Sequence, residues 1–293
     1  MIDKNTQITL TAKDFKGKVD PDWCPGCGDF GVLSSLQRAV SELGLQPHEI
    51  LTISGIGCSS NLPGFFKSFG MHTLHGRSLP HASGAKLANH ELTVIATGGD
   101  GDGYGIGGNH FTHTSRRNLN ILYLVMDNQI YGLTTGQISP TSEVGMKTKS
   151  TPHGSVELPI NPIASAITSG ATWVARGYTG NIKQLVSLIK AGIEHNGFAL
   201  LDVFSPCVTF NKVNTYQFFK PRVQPLEDIE HDSSDWKAGI EKAMVWGDVI
   251  HTGIFFQSNS RLTLEEQEPV LDEGGPLAYR ELGLSGEQTE RIV

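Results

Sequence analysis

The chain has 293 residues, 38% of them apolar, enough for a sizeable core. No run of 18 or more apolar residues occurs, which excludes a membrane-spanning helix, and the opening MIDKNTQITLTAKDFKGK lacks the apolar stretch of a secretory signal. The net charge of −7 is uneven: residues 226–293 hold 15 Asp/Glu and 5 Lys/Arg, so residues 1–225 carry +3, too small a basic excess for a nucleic-acid binder.

Taken in order, GVLSSLQRAVSELG (31–44) has a helical stripe at Leu33, Leu36, Val40 and Leu43, closed by Gly44. ILTISGIG (50–57) and LTVIATGGDGD (92–102) read as buried strands running into glycine loops. A short helix is expected over 108–118, then the most apolar strand, NILYLVMDN (120–128). Residues 133–160 are polar, contain three prolines and form a long loop, which is uncommon unless functional. Helices follow over 161–171 and 181–195, the second with Asn181 as N-cap. TWVARGY (172–178) and FALLDVFSPC (198–207) complete at least five strands. Strand–helix alternation implies an α/β fold with a doubly wound, mostly parallel sheet covered on both faces. Beyond about 225 the pattern loosens, so a main domain (1–225) and a C-terminal extension (226–293) are expected.

Many of the 34 glycines follow apolar runs, the pattern of α/β proteins that bind phosphates. Gly99-Asp100-Gly101 follows one strand and Asn128 the next, with 27 residues between Asp100 and Asn128. Both fall at carboxyl ends of strands, where such sheets bind ligands. A carboxylate, an amide and close-approaching backbone suit a diphosphate with Mg²⁺. The repeated GDGDG leaves two registers; Asp100 is taken because it lies nearer the strand end. His110 and His113, spaced i, i+3, lack an evident third ligand and read as helix polar groups rather than a metal pair.

A cytoplasmic location is expected from these features, and there thiols stay reduced. The four cysteines therefore read as metal ligands or redox groups rather than disulfides. Cys24 and Cys27 form a CxxC in an N-terminal glycine- and proline-rich loop; Cys58 and Cys207 each follow a strand. A dithiol redox pair leaves Cys58 and Cys207 unexplained. Structural zinc usually takes two close pairs, and here one pair is close. An iron–sulfur cluster accepts dispersed ligands more readily. By spacing, cluster, zinc and unrelated buried thiols all stay open.

DWCPGCGDFGVL, GIGCSS, HGRSLPHASGAKLAN, GGDGDGYGIGGNH and DNQIYGLTTGQISPTS occur in this order. Together they resemble the β subunit of the two-subunit 2-oxoacid:ferredoxin oxidoreductases from about residue 15 to about 225. The resemblance implies a thiamine-diphosphate-binding domain with Asp100, Asn128 and the Ile130 carbonyl as Mg²⁺ ligands. Gly57, Cys58, Ser59, His75, Gly99, Gly101 and Asp102 would line the cofactor. It also implies a 4Fe–4S cluster on Cys24, Cys27, Cys58 and Cys207. Asp127 stands where the thiamine motif often has a first asparagine.

The implied reaction is coenzyme A-dependent oxidative decarboxylation of a 2-oxoacid, with electrons passed through the cluster to ferredoxin; the reverse carboxylation is chemically allowed. One strand–helix domain cannot hold the whole cofactor, so an α subunit is expected to complete the site, in αβ pairs or a dimer of them. Arg77, with His75, is the candidate for handling the substrate carboxylate. Leu133 and Thr135 are candidates for the pocket wall. Some relatives carry lysine at the positions of Thr135 and Asn61; this chain has neither, and 2-oxoglutarate is favoured over pyruvate. The competing readings are a non-redox thiamine enzyme subunit and a zinc-binding interaction module.

Overall fold

The computed structural model describes residues 9–272 and 275–281; the last part of the expected C-terminal extension, 282–293, lies outside the described residues. Eight strands form one sheet: β1 (Ile50–Ser54), β2 (Phe69–His72), β3 (Thr93–Gly99), β4 (Ile121–Asp127), β5 (Trp173–Tyr178), β6 (Phe198–Phe204), β7 (Val223–Pro225) and β8 (Ile250–Gln257). Their order is β2-β1-β3-β4-β6-β5-β8-β7. Every pairing is parallel except β5 with β8.

The core lies on both faces of this sheet. β4 is buried along its whole length, and its alternate residues divide between the faces. Leu122, Leu124 and Met126 pack with Val32, Leu36 and Val40 of the helix Asp29–Glu42, and with Leu185 and Ile189 of the helix Ile182–Glu194. Ile121, Tyr123 and Val125 pack against Leu79, Phe111 and Ile163, from the helices Ser78–Ala88, Gly108–Arg117 and Pro162–Thr168. The Asn181 side chain accepts from Gln184 N–H, as its N-cap placement implies.

The five strands expected from sequence are all present. The edge strands β2 and β7, and β8 beside β7, carry no clear sequence signal: β2 (FGMH) is exposed throughout. β8 comes from the less regular C-terminal region yet joins the sheet against β5. Residues 133–160 hold neither helix nor strand.

The chain runs outward from β1 to β2, then crosses back to β3. This makes the carboxyl ends of β1 and β3 the topological switch point, where doubly wound sheets bind ligands.

Candidate active site

Four neighbouring strands deliver the chemistry. Cys58 follows β1, Asp100 follows β3, Asn128 follows β4 and Cys207 follows β6, and these strands are successive in the sheet. At the β1/β3 switch point a small open cavity of about 80 Å³ is lined by Gly57, Cys58, Ser59, His75, Gly99, Asp100, Gly101, Asp102, Asn128, Ile130 and Leu133. The cofactor-lining residues expected from sequence therefore converge, with two exceptions. Thr134 rather than Thr135 lines the cavity. Arg77 is outside the lining, and its guanidinium donates to the carbonyls of Gly76 and Ile106.

The glycine-rich stretch is not an open loop. Gly101–Ile106 forms a π-helical turn between β3 and the helix Gly108–Arg117, a rare form enriched at functional sites. Gly101 lines the cavity and also makes room for an aromatic ring: a Cβ there would lie 2.3 Å from Tyr131 Cε1. The open backbone approach belongs to Gly57, whose φ of 122° favours glycine and where an added Cβ would meet nothing within 4 Å.

Asp102 lines the cavity, but its carboxylate is already engaged. Its Oδ1 accepts from Ile56 N–H at 2.9 Å and Gly76 N–H at 2.7 Å, and lies 2.9 Å from His75 Nδ1. It ties the β1 loop to the His75–Gly76 turn. Its Oδ2 is buried without a partner, and burial raises its pKa against the donors on Oδ1.

Asp100 is 1% exposed, and its Oδ2 accepts from the Thr141 hydroxyl at 2.7 Å. Burial raises its pKa to about 6, against hydrogen bonds from Ser139, Thr141 and the Asn128 N–H. Asp127 sits beside it, its Oδ1 2.9 Å from Thr141 Oγ1 and 3.0 Å from Gln129 N. Burial, then Asp100, then Asp202 push the Asp127 pKa well above the usual carboxylate range. A hydroxyl has one proton to give, so Thr141 serves both groups when Asp127 keeps its own. A neutral Asp127 would match in charge and shape the asparagine often found at this place.

A metal fits this arrangement. The Asp100 carboxylate, the Asn128 amide and residue Ile130 border one cavity and supply the hard oxygens that Mg²⁺ prefers. The burial that raises the Asp100 pKa is the penalty a divalent cation would relieve.

A second cavity, of about 180 Å³, is lined by all four cysteines together with Trp23, Asn61, Asn128, Gly132, Leu133 and Phe210. The two cavities share Cys58, Asn128, Gly132 and Leu133 as a common wall. A Cβ on Gly132 would lie 3.5 Å from Cys207 Sγ, 3.9 Å from Cys58 Sγ and 3.7 Å from Asn128 Nδ2. Gly28 N–H donates to the Pro206 carbonyl at 3.2 Å, fastening the CxxC loop beside Cys207.

Burial, then the nearby Asp29 carboxyl, push the Cys58 thiol up to about 11 and the Cys27 thiol higher still. A thiolate here, whether nucleophile or metal ligand, needs a positive charge beside it to be held in place. Among the described residues no three His, Cys, Asp or Glu side chains are grouped to hold a metal ion, His110 and His113 included.

Sequence reading missed Thr141 and Ser139 as working parts. Ser and Thr in a polar loop carry no signal of what they touch, and only the ISPTS segment marks the place.

The family described as thiamine pyrophosphate enzyme, C-terminal TPP binding domain, matches residues 55–203, and the family described as the C-terminal part of the pyruvate ferredoxin oxidoreductase beta subunit matches residues 207–273. A 2-oxoacid:ferredoxin oxidoreductase subunit beta from Saccharolobus solfataricus is 47% identical over 84% of this chain and 85% of its own length. The 2-oxoglutarate oxidoreductase subunit KorB of Mycobacterium tuberculosis is 45% identical over 71% of this chain and 57% of its own length. A solved 2-oxoglutarate:ferredoxin oxidoreductase from Magnetococcus marinus, with 2-oxoglutarate, coenzyme A and succinyl-CoA bound, superposes with a TM-score of 0.89 at 41% identity, covering 98% of this chain and 97% of its own. With its thiamine-diphosphate-binding fold and its switch-point cavity, the chain belongs to the family of 2-oxoacid:ferredoxin oxidoreductase β subunits.

Proposed function

We propose that this protein, paired with an α subunit, performs coenzyme A-dependent oxidative decarboxylation of 2-oxoglutarate to an acyl-CoA and CO₂, with ferredoxin as electron acceptor. The observation that carries the reading is the common wall between the thiamine-type cavity and the four-cysteine cavity. A two-electron oxidation must be split for a one-electron carrier, and a cluster against the thiamine site does that with the shortest transfer. Relatives named for 2-oxoglutarate favour that substrate over pyruvate.

Asp100, Asn128 and the Ile130 carbonyl would hold Mg²⁺; Cys24, Cys27, Cys58 and Cys207 would hold a 4Fe–4S cluster. Thiamine diphosphate supplies carbanion-stabilising chemistry and the cluster supplies single-electron transfer. The chain's own contribution is placement. Gly57 opens the backbone to the diphosphate. His75, set by Asp102, faces the same cavity and is the candidate proton-handling group. Leu133 forms part of both walls. Substrate carboxylate recognition falls to the α subunit, since Arg77 turns to backbone carbonyls.

An α subunit is also supported by size. A cavity of about 80 Å³ is well short of the roughly 300–1,000 Å³ that small-molecule sites enclose, so further walls must come from another chain. No helix among the described residues is long and apolar enough to cross a membrane, and reduced thiols suit a cytoplasmic setting.

The test is anaerobic co-expression with the α subunit, iron and sulfide analysis, and viologen reduction with coenzyme A and a panel of 2-oxoacids. Expected are a brown complex, 2-oxoglutarate as the best substrate, and a Cys207→Ser variant that binds thiamine diphosphate but passes no electrons. Zinc without iron, or no viologen reduction with any 2-oxoacid, refutes the reading.

A further inference from the structure

The long 133–160 loop contains a tight turn, Ser139–Ser142, whose hydroxyls reach toward the proposed metal ligands. The Thr141 hydroxyl reaches Asp100 Oδ2 at 2.7 Å and Asp127 Oδ1 at 2.9 Å. The Ser142 hydroxyl donates to the Gln129 carbonyl at 2.7 Å, and Gln129 Nε2 donates back to the Thr141 carbonyl at 3.1 Å. Ser139 N–H donates to Ser142 Oγ at 2.8 Å, closing the turn on itself. Thr141 and Ser142 are 3% exposed each, so these contacts form without competing water.

Gln129 is the reason such a clamp is needed. Its φ is 56°, the left-handed region, which costs a non-glycine residue of order 1 kcal/mol or more. It stands between Asn128 and Ile130. Ile130 N–H donates to Asn128 Oδ1 at 3.0 Å across it, and an extended Gln129 would break that turn and carry the two residues about 6–7 Å apart.

We infer that the Ser139–Ser142 turn is a positioning clamp for the metal site: Thr141 aims the Asp100 carboxylate, and Ser142 holds the Gln129 peptide so that Asn128 and Ile130 face the same ion. This rests on the Mg²⁺–thiamine diphosphate reading above and assigns the otherwise unused loop a role in it. Thr141 and Ser142 touch neither metal nor substrate; they act through Asp100 and the 128–130 turn. Groups that orient metal ligands typically change metal affinity by roughly 10–100-fold when removed.

The experiment uses the αβ complex, stripped of thiamine diphosphate and Mg²⁺ but with its cluster retained, and measures Mg²⁺ affinity calorimetrically at saturating thiamine diphosphate. Thr141→Val is expected to weaken Mg²⁺ binding by about 10–100-fold and Ser142→Ala to weaken it severalfold, while Thr141→Ser restores affinity to within about threefold of wild type. Visible absorbance of the cluster should be unchanged in all three. Wild-type Mg²⁺ affinity in Thr141→Val, with or without a lowered melting temperature, overturns the inference. Should Thr141→Val not assemble, Ser142→Ala decides: wild-type affinity there overturns it equally. Failure of the wild-type complex itself to bind Mg²⁺ with thiamine diphosphate is a different result, and refutes the cofactor reading instead.

Discussion

The indole N–H of Trp23 donates to the backbone carbonyl of Cys58 at 2.7 Å, joining the N-terminal cysteine loop to the loop after β1 across 35 residues. Phe30 and Phe65 pack edge-on against the same indole, with ring centroids 5.3 and 4.9 Å away. Trp23 is therefore both a wall of the four-cysteine cavity and the tie that fixes Cys58. Replacing it by Phe keeps the ring packing and removes the donor. That leaves a part-buried carbonyl without this donor, at a cost of about 0.5–1.5 kcal/mol. The cluster absorbance near 400 nm of Trp23→Phe should bleach severalfold faster than wild type in air. An unchanged bleaching rate would show that the hydrogen bond does not hold the site closed.

Gly132 sits where the two cavities meet. A single Cβ makes ordinary contacts of 3.5–3.9 Å with the surrounding Cys207, Asn128 and Cys58 atoms, so Gly132→Ala should retain iron and sulfide at wild-type levels. A branched chain of four carbons has no such room, and Gly132→Leu should lose most of its iron. Equal iron content in the two variants would mean that the cysteine cavity opens away from Gly132.

Asp127 offers a test by pH. Its pKa is raised in the fold, from 3.8, by burial and by Asp100. A raised acid contributes its stability below the unfolded value and loses it as pH rises through the folded one. Asp127→Asn avoids that loss. The melting temperature of the variant should match wild type near pH 4 and exceed it increasingly toward pH 7.5. A variant less stable than wild type at pH 7.5 would argue that Asp127 is ionised in the fold.

His195 behaves in the opposite sense. It lies 2.7 Å from Thr172 Oγ1, and burial lowers its pKa from 6.5 to about 4. A lowered histidine contributes its full stability above 6.5 and loses it as pH falls from there toward 4. Between pH 7.5 and 5 the wild-type complex should therefore lose more thermal stability than His195→Gln. Parallel losses in the two proteins would place the acid sensitivity elsewhere.

Much of the site was legible because its residues follow strands that read plainly. Asp100, Asn128, Cys58 and Cys207 each come directly after an apolar run, and a parallel sheet gathers all such positions on one edge. The glycines carried part of the reason: Gly101 lines the cavity but is also small to admit the Tyr131 ring, a demand set by a residue 30 positions away. Arg77 misled, since its sequence position beside His75 does not report that its guanidinium turns to Ile106.

What the sequence determined by itself was the fold class, the central strands, the cysteine set and the thiamine-type spacing, because hydrophobic period and residue type are local properties. What only the tertiary structure decided was contact between distant segments. β8 completes the sheet from a region without strong period, paired to β5 by backbone hydrogen bonds that need no side-chain signature. Thr141 reaches Asp100 across 41 residues, and Cys58 stands in the wall between two cavities. Those relations arise from packing β1, β3, β4 and β6 side by side, and no stretch of chain contains them.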